Sequence, residues 1–399
     1  MEDLRADVLV IGGGPSGLLA AREAASKGAE VLVLEEHKEI GVPNHCTGIL
    51  SVEGLQRLGV KPHEELVQHE IFGGRAYSPD GTEIELRSSR ARAYAVDRTA
   101  FDKELRQQAH DAGAEILTGK RIQRLLVANQ GVYGATGRDL EIRSRVIIDA
   151  EGISATLARS TGLVPNRRVL YGANVEVAAT LEPGMVEVWL NRETAPGFFA
   201  WVVPLNDGLV RCGLASSEKD ARSQLQRFLK KRLSLRAAAN VRTGLVYVDG
   251  PVPKTCLDGF AVVGDAAGQT KPTTGGGVVL GGLCAMRAGT VAGEAVKIGD
   301  YSQSFLRQYE NWWKKQLGSE FASMRRARKL LDRISDEKLN QLFASFNNAG
   351  LKEIAMQYIE RGDMDLQRSL ITEAARDPRL LSTATRVLGR LVLSSLAGR

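Results

Sequence analysis

The sequence predicts an α/β fold with an inserted antiparallel β-sheet and a helical C-terminal region. Three observations carry this. A β-branched run, Ala6–Ile11 (ADVLVI), stops at Gly12 and is followed by a helical stretch and a second buried run, Glu30–Glu35. Between residues 171 and 215, short apolar runs alternate with Asn, Pro, Gly and Asp turns. After Asp300 the spacing is helical, with no strand signal.

The first run reads as a buried parallel strand. Residues Ser16–Lys27 read as a helix closed by Gly28, and Glu30–Glu35 (EVLVLE) as the strand that completes a βαβ unit. A helix over Asp97–Gly113 and a strand at Arg145–Asp149 (RVIID) follow. The runs Val186–Leu190, Phe198–Val203 and Leu209–Leu214 supply the inserted sheet, and Phe260–Val263 returns to the parallel pattern. The expected division is 1–165, with 46–94 turned toward the substrate side, then the sheet domain 166–254. A second part of the first domain (255–300) and a helical region (301–399) complete it.

The chain has 399 residues, 43% of them hydrophobic and 25% charged, with 42 glycines, an excess that must sit at special backbone positions. Its net charge of +6 lies wholly in residues 301–399, where 17 Lys and Arg face 11 Asp and Glu, so the basic balance does not mark the chain as a nucleic-acid binder and no nucleic-acid partner is expected. Four separated cysteines and five histidines without ligand spacing argue against a zinc or disulfide framework, and no metal is expected. With strand spacing beginning by Ala6 and no span-length apolar run, an intracellular, cytoplasmic protein is expected.

The glycine clusters carry the chemistry. Gly12-Gly13-Gly14-Pro15-Ser16-Gly17 fits G-x-G-x-x-G between a strand and a helix. There, glycines give the tight turn, the approach to a pyrophosphate and close helix–strand packing, and the helix N-terminus faces the phosphate charge. Glu35, at the end of the second strand, is placed to accept hydrogen bonds from an adenosine ribose. A second cluster, Gly264-Asp265 followed by Pro272-Thr273-Thr274-Gly275-Gly276-Gly277, offers a carboxylate for a ribityl or phosphate group and backbone N–H groups for a flavin ring. A third, Asp149 to Gly152, follows a strand, and Arg98 begins a helix within reach of the phosphates or ribityl chain. A nicotinamide cofactor needs no second contact some 250 residues on; FAD, being longer, does.

Together these elements resemble the FAD-binding fold of the p-hydroxybenzoate-hydroxylase-like flavoproteins across residues 1–300. The segment Gly41-Val42-Pro43-Asn44-His45-Cys46-Thr47-Gly48, with the P-T-T-G-G-G loop, is similar to the geranylgeranyl reductase family, especially the archaeal digeranylgeranylglycerophospholipid reductases. That resemblance implies FAD held also by Glu36, Thr47, Gly48, Ile122 and Val278, with Cys46 as the cysteine beside the flavin ring. Cys46 is the candidate catalytic residue, with proton handling, redox control and simple packing all open to it. It implies a substrate wall in which Phe199-Ala200-Trp201-Val202-Val203-Pro204 stands for the family's Tyr-x-Trp-x-Phe-Pro, with Phe199 and Val203 departing from it. Val188 on the neighbouring strand is expected to line the same wall, and Cys284 to approach Cys46.

The implied reaction saturates C=C bonds of geranylgeranyl chains in membrane ether lipids, with an isoprenoid lipid substrate and NAD(P)H or ferredoxin as electron donor. Two other readings share the fold: a flavin monooxygenase or halogenase, since Trp201–Pro204 is similar to the halogenase Trp-x-Trp-x-Ile-Pro, and a membrane-attached flavin electron carrier. The basic, amphipathic spacing of Pro378–Arg399, with Leu380, Leu381, Val387, Leu388, Leu391, Val392 and Leu396, suggests a helix lying peripherally on the inner face of the cell membrane. The bland reading of that helix is a basic face packed on the rest of the protein.

Overall fold

A computed structural model describes residues 2–128, 131–165, 167–235 and 238–389. Its centre is an eight-stranded sheet in which Leu140–Asp149, Glu2–Ile11, Val31–Glu35 and Glu115–Thr118 run parallel in that order. Phe260–Val262 extends it in parallel beyond Leu140–Asp149, and Cys256–Leu257 closes that edge. Val31–Glu35 is buried along its whole length, as a strand covered on both faces requires.

Helices Pro15–Ala25 and Val278–Ile298 cover one face side by side. Their contact explains part of the glycine excess. A Cβ on Gly289 would overlap the Ala20 carbonyl, and one on Gly282 would stand 2.8 Å from Leu19 Cδ1. The helices touch backbone to backbone because these positions carry no side chain.

The inserted sheet has seven strands in the order Arg242–Val246, Leu170–Ala178, Leu209–Ser216, Ala200–Pro204, Met185–Trp189, Gly73–Tyr77, Glu83–Arg87. It is antiparallel except where Met185–Trp189 pairs in parallel with Gly73–Tyr77. One face packs on the helix Ala221–Leu233, burying Ala200, Val202, Cys212, Leu214, Leu225 and Phe228. The other face turns to a three-stranded sheet (Ile49–Ser51, Ala93–Val96, Val67–Ile71) and to the cleft.

The C-terminal region is helical throughout its described part, beginning with Gln303–Leu331, whose Tyr309, Trp313, Leu317 and Phe321 enter the main core. Of the shorter helices, Asp336–Asn348 and Lys352–Arg361 pack against the edge strand Glu83–Arg87, Arg368–Arg376 packs on Gln303–Leu331, and Pro378–Leu388 packs on Asp336–Asn348. Leu381, Val387 and Leu388 meet Ile334, Leu339 and Leu190, so the described part of the last helix docks its apolar side within the protein. Leu391, Val392 and Leu396 lie outside the described residues. No described helix is long and apolar enough to cross a membrane.

Candidate functional site

A cavity of about 660 Å³ opens at the C-terminal ends of the parallel strands, where α/β sheets bind ligands. Gly12, Gly14, Glu35, Glu36, Ile122 and Gly152 line it, brought together from four separate segments of the chain. The glycines of the first turn have different reasons to be there. A Cβ on Gly17 would overlap the Gly12 carbonyl, and one on Gly12 would overlap that of Ala150, so the protein itself demands both. Gly14 has an ordinary φ of −77°, and a Cβ there would meet nothing within 4 Å. The protein's own packing therefore places no demand for glycine there. The helix Pro15–Ala25 begins at Gly14 with no side-chain cap and no acidic residue in its first turn, leaving N–H groups for an anion.

Glu35 is buried, and its carboxylate accepts from Gly13 N (2.6 Å) and His37 N (2.9 Å), bracing the turn it faces. Asp149 stands one layer behind the cavity wall. It is fully buried; Oδ1 accepts from Glu151 N at 3.0 Å and Oδ2 has no partner. Burial, reinforced by the Glu151 charge, holds its carboxyl well above the usual range. Glu151, inside the Asp149–Gly152 cluster, lines the cavity and caps the next helix through Leu157 N at 2.6 Å.

The second glycine cluster lies across the first helix turn. A Cβ on Gly264 would overlap Ser16 Oγ, and one on Gly277 would overlap Asp265 Oδ1. The helix Val278–Ile298 thus starts, also without a side-chain cap, beside the start of Pro15–Ala25. Two bare helix N-termini and a carboxylate raised by burial at Asp265 share one corner.

The Cys46 loop closes the other side. Arg98 and Asp102 form a buried pair at 3.0 Å beneath it. Burial opposes the charge on Arg98, and Asp102 with the Cys46 sulfur more than offsets it. Cys46 is half-buried, and its Sγ accepts from Gly48 N at 3.4 Å. Arg211, almost wholly buried, fastens this loop from the inserted sheet. It donates to Thr47 O (2.6 Å), Gln68 Oε1 (2.8 Å) and Glu176 Oε1 (2.8 Å). Gly48 has φ +73°, and a Cβ there would stand 2.7 Å from Arg211 Nη1. Asn174 Nδ2 adds a bond to His45 O at 2.6 Å. Neither Arg211 nor Asn174 carries a local signal, because each acts across more than 120 residues of chain.

Cys284 is fully buried in the main core and all four cysteines are free, so no Cys46–Cys284 bond is present. Trp201 faces the cleft side. It makes an edge contact with Phe199 at 6.0 Å, and Val188 stands opposite it in register. Pro204 is three residues on, so the period of two turns it to the sheet's other face, away from this wall.

Bare glycines, uncapped helix ends and an orphaned buried carboxyl oxygen fit a dinucleotide with a ring system at its far end. Among solved structures, the chain is similar to a geranylgeranyl bacteriochlorophyll reductase-like protein from Thermoplasma acidophilum. The two are 25% identical, with a TM-score of 0.84 and 99% of each chain covered. It shares its fold with the flavin-dependent brominase Bmp2, at 18% identity, TM-score 0.66, and coverage of 93% of this chain and 99% of that one. Fold and site define a flavoprotein oxidoreductase.

A family model described as lycopene cyclase protein matches residues 7–361. Digeranylgeranylglycerophospholipid reductase 2 of Methanopyrus kandleri is 36% identical, covering 84% of this chain and 89% of its own. The digeranylgeranylglycerophospholipid reductase of Methanothrix thermoacetophila is 32% identical over 93% of this chain and 98% of its own. The chain belongs to the family that this model describes and, with these relatives, to the digeranylgeranylglycerophospholipid reductases.

Proposed function

We propose that the chain binds FAD and saturates isolated C=C bonds of geranylgeranyl chains in archaeal-type ether lipids. One juxtaposition carries the reading. A Cβ on Gly275 would stand 3.8 Å from the Phe198 ring and 3.9 Å from Val248, so the glycine loop of the ring corner abuts the aromatic wall. Gly12, Gly14, Pro15, Ser16, Gly17, Glu35, Glu36, Ile122 and Gly152 would hold the adenosine and pyrophosphate part. Cys46, Thr47, Gly48, Arg98, Asp265, Gly275, Gly276, Gly277 and Val278 would hold the ring part, with Asp149 supporting the turn between them.

When bound and reduced, the flavin supplies a hydride. The chain orients the alkene along Val188, Phe199 and Trp201, whose apolar surfaces exclude water. Cys46, the half-buried thiol of the ring corner, is the candidate proton source at Sγ for the neighbouring carbon.

The test is anaerobic incubation of dithionite-reduced holoprotein with geranylgeranyl ether lipids, with products read by mass. A gain of two hydrogens per double bond is expected, and its absence overturns the reading. Oxygen consumption coupled to substrate oxidation would instead select a monooxygenase. NAD(P)H and ferredoxin are separated as donors by which of them bleaches the flavin anaerobically. Peripheral attachment to an anionic membrane belongs to the same reading. It predicts liposome binding that weakens with salt, carried by exposed basic residues such as Lys314, Lys315 and Arg326.

A further inference from the structure

The aromatic wall ends in an arginine cluster that meets the dinucleotide site only through Arg167 at the Asp265 backbone. Phe198 stacks on Phe199 at 4.1 Å, and the Arg328 guanidinium lies over the Phe198 ring at 4.9 Å. Arg328 is buried at 7% exposure and donates to Gly197 O and Asp332, yet its Nε has no partner. Arg168 reaches the same turn, with Nη2 3.8 Å from where a Cβ on Gly197 would stand. Arg167 lies over the Tyr247 ring at 4.3 Å and donates from Nη1 to Asp265 O, while its buried Nη2 is also without a partner. Arg325 lies one helical turn before Arg328; burial holds the Tyr247 phenol above its usual range, and Arg167 and, more weakly, Arg325 oppose this.

Asp332 answers Arg328, and Asp249 and Asp265 act on this corner only at longer range. Among the described residues no carboxylate pairs with Arg167, Arg168 or Arg325. Buried guanidinium N–H groups without acceptors are costly. Ring faces hold two of these guanidiniums in place, and the planar fork suits a phosphate.

We propose that this cluster binds the phosphate headgroup of the substrate, an anionic phosphoester whose isoprenoid tail runs from Phe198 along Phe199 to Trp201. The tail's path rests on the reductase reading; the headgroup site does not. Arg168 and Arg325 are exposed and suit substitution without loss of core.

The experiment compares holoprotein with the double variant Arg168→Gln/Arg325→Gln, checked for flavin content. Two geranylgeranyl glycerol ethers are offered, one with a phosphate and one without. The ratio of kcat/KM for the phosphate-bearing over the headless substrate is expected to fall at least about tenfold, with partial return in the Arg→Lys pair. An unchanged ratio overturns the proposal.

A second arm needs no turnover. Binding of the saturated phosphate lipid, followed by tryptophan fluorescence, should weaken about tenfold in the double variant. If it does so in a protein that reduces no alkene, the reductase reading fails and the headgroup site stands. If lipid binding is the same in both proteins, the site falls. Inorganic phosphate in tenfold excess should leave lipid binding in place. Displacement at equal concentration would assign the cluster to a free anion and overturn the headgroup.

Discussion

On the adenosine side of the cleft, one βαβ unit from Gly12 to Glu35 supplies the turn, the helix N-terminus and the acid, and the shape comes from missing side chains. The Cys46 side is assembled from distant chain: Arg98 and Asp102 below, Asn174, Glu176 and Arg211 from the inserted sheet, Lys271 and Asp365 at the rim. The first half is specified by sterics within a short segment. The second is held by buried charge, which binds strongly only when every partner is present.

The largest expected effect tests the steric half. Gly17→Ala drives a Cβ into the Gly12 carbonyl and should cost more than about 4 kcal/mol, leaving little folded protein with or without flavin. Gly14→Ala is its counterpart. With nothing near its Cβ, the apoprotein should lose about 1 kcal/mol or less through the weaker helix cap. Its flavin affinity should fall at least about tenfold. Thermal melts and flavin titration of both variants check this; equal losses of flavin-free stability would dissolve the distinction.

On the charged half, Arg211→Met leaves Glu176, Gln68 and the Thr47 carbonyl without their donor, at a cost of about 3 kcal/mol. The Cys46 loop should loosen with it, read as faster alkylation of that thiol in the folded protein. Glu176→Gln, which keeps an acceptor for Arg211, should be much milder. The rim is weaker again. Asp365 is buried between Ser51 and Lys271, whose Nζ stands 2.7 Å away, and Asp365→Asn should cost about 2 kcal/mol by melt. The loop that Lys271 begins should then become the first site of proteolysis.

The same contrast explains what was legible beforehand. The G-x-G-x-x-G turn, its helix and Glu35 follow from period and glycine placement, and the structure moves their bounds by only a residue or two, to Pro15–Ala25 and Val31–Glu35. Strands Gly73–Tyr77 and Glu83–Arg87 gave no usable run, being half-exposed along most of their length. Arg211 reads locally as a charge interrupting an apolar strand, and only the pairing of Leu209–Ser216 with Leu170–Ala178 brings it to Glu176. The motif points Pro204 to the substrate wall, whereas the pleat turns it to the opposite face, with Val210. The docking of the C-terminal helices against the sheet edge depends on contacts such as Arg192 to Ile334 O at 2.7 Å, which no periodicity announces.

The smallest effect belongs to Asp149, where the two halves of the cleft adjoin. Its folded-state carboxyl is raised by burial and by Glu151, so the unfolded chain releases its proton at lower pH than the folded one. The folded state then binds more protons than the unfolded, and stability falls as pH rises from the unfolded value near 3.8 toward the folded one. Asp149→Asn removes that dependence while keeping an oxygen to accept from Glu151 N. Flavin-free protein should therefore gain about 1 kcal/mol at pH 7, and the gain should shrink as pH falls toward the unfolded value and vanish below it, where the acid is protonated in both states. Melts of the two proteins across that range decide it. A gain that stays constant with pH would mean the carboxyl is not held protonated, and that the orphaned Oδ2 is satisfied even without ligand.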